Sequence, residues 1–279
     1  MSIGIFAALI VAAVLHAGWN ALVRRDDDRS AAAIAVAAGG VVVGAVLVPF
    51  LPPITGTAAL YVVGSSFIHV LYYALIARAY RHGELSVAYP IMRGLAPLIV
   101  SIVAAIFIER PGAIVFAGVA VVAVGIVSLG LDGLRRGQRG LADALANAFV
   151  IASYTLVDGL GARASGAPAS YVAWILIGGG VATVAFQFWM QGRAAVRRLT
   201  SRWQLALASG VMGYGAYGIA LWAMTVAPIG AVAAVRESSV LFATALGAVM
   251  LHEKFGATRW IAAALVVVGL ALVKFGGTA

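Results

Sequence analysis

No cysteine occurs in the 279 residues, so neither a disulfide framework nor a thiolate metal site is possible. Charge is nearly as scarce. Asp, Glu, Lys and Arg make up 10% of the chain, against about 25% in an ordinary soluble domain. No polar connection is long enough to hold a soluble domain. The four histidines lie on different apolar segments or loops, and none shows the H-x3-H or H-E-x2-H spacing of a metal helix. No nucleophile elbow is present. These absences weigh against an enzyme and predict no metal and no cofactor. The net charge of +9 comes from residues scattered through short loops, a pattern that reads as membrane topology and not as a nucleic-acid surface.

What remains is apolar. Hydrophobic residues make up 63% of the chain, and the mean hydropathy is +1.03. A span needs about 20 mostly apolar residues. Ten segments qualify: 3–23, 31–51, 58–80, 87–108, 112–131, 141–160, 170–190, 204–226, 229–251 and 259–275. The start of the chain lacks a basic stretch before its apolar run, so it reads as a first span and not as a cleaved signal. Fourteen of the 19 Lys and Arg fall in loops after odd-numbered spans, and three fall on the other side. Positive-inside then places both termini outside the cytoplasm. The basic stretch 191–203 has the character of a short amphipathic helix on the inner leaflet.

Span 4 holds the stretch from Tyr89 to Pro97. An arginine there costs roughly 2.5–3.5 kcal/mol on insertion. Pro90 and Pro97 each remove a ladder hydrogen bond. Ser86, Pro90, Arg93, Pro97 and Ser101 form one polar, kinked stripe. Such a face suits either the wall of a central cavity or a structural kink with a paired arginine. Pro90, Gly94 and Pro97 are the expected hinge. Span 9 has no proline and is expected to bend less.

The chain also repeats itself. At an offset of 144 residues Tyr73 meets Tyr217, Glu109 meets Glu253, Gly112 meets Gly256 and Gly125 meets Gly269. At an offset of 138, His16-x3-Asn20-x4-Arg25 meets Tyr154-x3-Asp158-x4-Arg163. The halves are 1–140 and 141–279, with five spans each. An odd number of spans inserts the second half upside down, giving inverted repeats. The expected fold is all-α: a polytopic membrane protein of ten transmembrane helices in two inverted five-helix repeats.

Each half ends in a Glu-x2-Gly turn before an apolar hairpin: Glu109-Arg110-Pro111-Gly112 and Glu253-Lys254-Phe255-Gly256. With His16-Ala17-Gly18-Trp19-Asn20 at the end of span 1, this resembles the drug/metabolite transporter superfamily over the whole chain. Within it, the chain looks most like ten-span EamA-type exporters, including amino-acid exporters of the YddG type. The resemblance implies a multi-pass protein of the bacterial inner membrane. It also implies cytoplasmic termini, the reverse of the arginine count.

Further polar groups sit at helical spacing. His16, Trp19 and Asn20 share one face of span 1, and His69, Tyr72 and Tyr73 repeat the pattern in span 3. Asn147, Tyr154 and Asp158 roughly share a face of span 6. Tyr214 and Tyr217 lie among the glycines of span 8. Span 9 carries Arg236-Glu237, with Glu237 opposite Arg93 at the 144 offset. Arg236 and Glu237 are about 100° apart on a helix and are expected not to pair with each other. The membrane-depth charges Arg93, Arg236, Asp158 and Glu237 balance, which predicts pairing across helices. Together these residues outline an aromatic, weakly polar cavity for an amino acid. Arg93 or Arg236 would meet its carboxylate, and Glu237 or Asp158 its amine. Spans 5 and 10 look suited to packing or to a weak homodimer contact; otherwise the chain is a monomer. The expected partners are a small-molecule substrate and the lipid bilayer, with no nucleic acid. The rival readings are a multidrug exporter of aromatic cations and a non-transporting assembly or sensory subunit.

Overall fold

Helix is the secondary structure that hydrocarbon allows an open chain, because every backbone donor and acceptor is satisfied within one segment. In the computed structural model, which describes residues 1–24, 26, 28–82, 85–135, 141–192, 200–242 and 257–276, helix dominates and no strand occurs among the described residues. The helices are α1 (Ile3–Arg24), α2 (Arg29–Leu47), α3 (Gly56–His82), α4 (Leu85–Phe107), α5 (Ala113–Arg135), α6 (Leu141–Ser165), α7 (Pro168–Gln191), α8 (Trp203–Val226), α9 (Ile229–Arg236) and α10 (Ala257–Phe275). Seven of them carry stretches long and apolar enough to cross a bilayer: α1, α4, α5, α6, α7, α8 and α10. Ile34–Phe50 and Gly56–Tyr72 are shorter apolar helices. The second Glu-x2-Gly turn, most of 191–203 and the end of span 9 lie outside the described residues.

Helix ends follow local chemistry. The Asp28 side chain accepts the Ala31 N–H at 3.0 Å and starts α2. Thr55 accepts the Ala58 N–H at 3.1 Å and starts α3. Pro168 opens α7, where its missing N–H costs nothing. Gly192 ends α7 with a φ of 59°, a conformation that glycine adopts without strain.

The chain divides into two compact units, and each draws on both halves of the sequence. One comprises Met1–Ala13, Leu71–Leu156 and Val226–Ala279; the other comprises Val14–Val70 and Val157–Thr225. In the first, α5 packs on α10 and on α4, and α9 packs on α4. A Cβ added at Gly118 would lie 2.8 Å from the Gly269 carbonyl oxygen, and one at Gly269 would lie 2.7 Å from that of Gly118. The two backbones therefore touch, the close approach that small residues give to helices in lipid. In the second unit α2 packs on α7, and Gly39 and Gly210 bring α2 against α8 so closely that a Cβ on either would overlap backbone. Large apolar side chains such as Phe50, Leu60, Phe67, Phe107 and Trp189 remain exposed on these units, as a hydrocarbon surrounding tolerates and water does not.

The regularity of α4 and α9 differs from the sequence expectation. α4 continues as one helix through Pro90 and Pro97. Each proline removes one N–H, and the rest of the ladder is kept. The irregular helix is the ninth. It leaves α geometry after Arg236: Ser238 N–H bonds to the Val235 carbonyl at 3.0 Å and Val240 N–H to the Glu237 carbonyl at 3.0 Å. These i to i+3 bonds tighten the helix at Glu237–Ser238 before it resumes at 239–242.

At the polar end of the second unit, Arg202 Nε and Nη2 donate to the two Asp26 oxygens at 2.7 and 2.9 Å. These bonds hold the Asp26 carboxyl below the usual carboxylate range; burial opposes the shift and the Asp28 N–H adds to it. A depressed carboxyl stabilises the fold above its unfolded pKa, about 3.9, and the gain is lost as pH falls through the folded value. Asp26→Asn should therefore melt below wild type at neutral pH. The gap should close below about pH 4, which melting curves across pH would show.

Candidate functional site

The charged pair of the first unit comes from two antiparallel helices. Gly230 of α9 lies against Ser101 of α4 so closely that a Cβ would overlap it. Arg93 sits two turns before Ser101, and Glu237 two turns after Gly230. That spacing delivers Glu237 to Arg93, with Nε and Oε2 2.8 Å apart. The start of α9 is held as well, because the Ile229 N–H donates to the Glu109 carboxylate. A carboxylate at a helix N-terminus offsets the positive end of the helix dipole. This gives the first Glu-x2-Gly turn a physical task.

Arg93 is 4% exposed and Glu237 1%, so the pair is out of water. It is an ion pair by distance only. Arg93 Nε and Nη2 and Glu237 Oε2 make no hydrogen bond among the described residues. Other buried polar atoms of the same unit are also unmatched there: Asn147 Oδ1 and Thr155 Oγ1 on α6, Ser101 Oγ on α4 and Ser238 Oγ after α9. Asn147 Nδ2 reaches the sulfur of Met92 at 3.1 Å. The phenols of Tyr72, Tyr89 and Tyr154 lie within electrostatic range of Arg93, and Tyr72 meets Tyr154 edge-on with centroids 5.7 Å apart. The expectation that Arg236 and Glu237 do not pair is corrected. Arg236 Nη2 lies 3.8 Å from Glu237 Oε1, a separation that the length of the arginine side chain spans although adjacent helix positions point apart.

The second unit holds a different group. Asp158 on α6 has no exposed surface. It accepts the Tyr217 hydroxyl of α8, and the Tyr171 hydroxyl of α7 at 3.3 Å. Ser65 of α3 adds a third hydroxyl, and His69 lies in electrostatic range. Gly161 makes room for Tyr171, since a Cβ there would overlap the phenol. Tyr214 donates to the Ala169 carbonyl at 3.3 Å. In the same unit His16 and Trp19 pack edge to face at 5.1 Å, and Asn20 donates to the His16 carbonyl at 2.8 Å.

The predicted residues thus form three contact groups. Arg93, Arg236 and Glu237 come together in the first unit, with Tyr72 and Tyr154 beside Arg93. Asp158, Tyr217 and His69 come together in the second, and His16, Trp19 and Asn20 form the third. The side chain of Tyr73 lies outside the described residues. Sequence reasoning missed Tyr171. It stands at the start of α7 three residues after Pro168, where it reads as an interfacial tyrosine, and only the gap at Gly161 reveals its partner.

Comparison with known proteins agrees with this architecture. Residues 138–275, just under half of the chain, match the EamA-like transporter family; members of that family are transporters, not enzymes. No curated protein matches the chain. Twenty-seven solved chains do. One of these, a crystal structure, shares the fold with a TM-score of 0.70, covering 98% of this chain and 96% of its own at 19% identity.

Removing one member of a buried ion pair costs about 3–5 kcal/mol, because the other charge is stranded. Arg93→Met should destabilise by about that much, and Arg93→Met/Glu237→Met by clearly less. A double-mutant cycle on unfolding in detergent micelles checks it. Additive losses would mean that the two charges do not interact.

Proposed function

We propose that the protein is a ten-span transporter of the bacterial inner membrane, built as two inverted five-helix repeats, that exports amino acids with aromatic or other apolar side chains by alternating access. The observation that carries the reading is the buried Arg93–Glu237 pair, poorly matched to itself, in a unit that holds further unmatched buried polar atoms. A zwitterion meets such a pair without stranding either charge: its carboxylate takes Arg93 and its ammonium takes Glu237. Tyr72 and Tyr154 offer aromatic faces to its side chain. Arg236 adds a second guanidinium at the turn. His16, Trp19, Asn20, His69, Asp158, Tyr214 and Tyr217 belong to the second unit. Pro90, Gly94 and Pro97 on one side and the tightened turn at Glu237–Ser238 on the other are the points where bending costs least.

The repeat reading is supported by which helices pack together. The pairs α2 with α7, α4 with α9 and α5 with α10 are counterparts in the two halves. An inverted repeat brings such counterparts together around a two-fold axis in the membrane plane. Gly118 and Gly269 are occupied inside the chain, which favours a monomer over a dimer built on those helices.

Proteoliposome uptake of a solute panel tests the substrate. Aromatic and aliphatic amino acids should enter, and dye cations should not; transport of dyes alone, or of nothing, overturns the proposal. Arg93→Lys keeps the charge but loses the planar fork. It should fold with a melting temperature near wild type and lose flux about tenfold, or about 1.4 kcal/mol. For orientation, alkaline phosphatase fused to Ala279 should be active if the arginine count governs insertion. A fluorescent-protein fusion that glows there instead would place the terminus in the cytoplasm.

A further inference from the structure

The Asp158 group is not explained by recognition of a zwitterion at Arg93. It is a carboxyl with no exposed surface on a helix long and apolar enough to cross a bilayer. Its hydrogen-bond partners are hydroxyls: Tyr217 from α8, Tyr171 from α7 and Ser65 from α3. His69, one turn beyond Ser65, is the imidazole of the group. Its Nδ1 lies 2.9 Å from the Ser65 carbonyl oxygen and 3.2 Å from Ser65 Oγ. Tyr61 of α3 bears on Tyr171. Arg163, further along α6, gives its Nε–H to the Met224 carbonyl at 2.7 Å.

We propose that Asp158 is a proton-binding site, which takes up and releases one proton while the chain stays folded. The chemistry of the partners carries this. A guanidinium can only donate, so it fixes a carboxylate in its ionised form. A hydroxyl both donates and accepts. With Asp158 ionised, three hydroxyls donate to it. With one proton added, the carboxyl is neutral and its own O–H donates to a hydroxyl that turns to accept. The group stays hydrogen-bonded in both states, and the only change is one proton gained and one negative charge removed. Imidazole is the side chain suited to pass that proton near neutral pH, and Ser65 links His69 to the carboxyl. Four helix segments meet on Asp158, so a change in its charge bears on all of them at once. An ionisable residue so placed marks a proton path in many membrane proteins.

The test needs no substrate. Infrared difference spectra of the protein in lipid bilayers, recorded while pH is stepped, report the C=O stretch of protonated carboxyls. The wild type should show such a band growing as pH falls, and Asp158→Asn should lack it. In Tyr217→Phe and Tyr171→Phe, which keep the carboxyl, the band should persist to higher pH by about one unit, since each has lost a donor to the ionised form. These variants carry the test if Asp158→Asn fails to fold. Wild-type and Asp158→Asn spectra that superimpose at every pH would overturn the proposal. So would phenylalanine variants with an unmoved band. Absence of amino-acid transport would count against the export reading and leave this titration as it stands.

Discussion

A guanidinium held in hydrocarbon needs a counter-charge, and the counter-charge needs a backbone that carries it to the right place. Much of the first unit serves that requirement. Glycine at position 230 lets α9 lie against α4. The Glu109 carboxylate fixes where α9 begins. Two turns later the helix tightens, and Glu237 arrives beside Arg93. A bulkier residue at Gly230 would push α9 away and strand both charges. The cost of doing so, about 3–5 kcal/mol, is comparable with the whole stability of many domains.

The pair is nonetheless imperfect, and that matters for function. A fully matched buried pair resists opening. Here Arg93 Nε and Nη2 and Glu237 Oε2 lack aligned hydrogen bonds, and Asn147, Thr155 and Ser238 carry unmatched atoms in the same unit. In an apolar surrounding each such atom raises the free energy of the empty state, by about 1–3 kcal/mol for a neutral group. A ligand that supplies complementary charges lowers it again. The Asp158 group follows the opposite logic. Its hydroxyl partners can satisfy either protonation state, so the carboxyl can change charge without losing its contacts.

Part of this arrangement was legible in one dimension. Arg93 stood out because an arginine in an apolar run is costly. The 144-residue offset then placed Glu237 opposite it, and the two are in contact. His69 and Asp158 were marked by residue type. Partner choice was less legible. Arg236 and Glu237 were expected to point apart, because the 100° rule describes where side chains leave the helix and takes no account of how far an arginine reaches. Tyr171 gave no signal, since its role depends on a missing Cβ at Gly161. Pro90 and Pro97 pointed to an interruption in span 4, yet α4 runs through both and the irregular turn falls in a helix without proline.

The sequence by itself determined that this is an all-helical chain rich in bilayer-crossing segments, with a few charges inside them. Hydropathy and helical period are properties of consecutive residues, and they need no knowledge of neighbours. Tertiary structure decided which charges meet and which hydroxyls surround Asp158. It also grouped segments of both halves into each compact unit. Those outcomes depend on how closely backbones approach, at Gly230, Gly161, Gly118 and Gly269, and on the direction each side chain takes from its helix. At Gly230, Gly118 and Gly269 the residues that meet are more than a hundred positions apart, and at Gly161 the partner comes from the next helix.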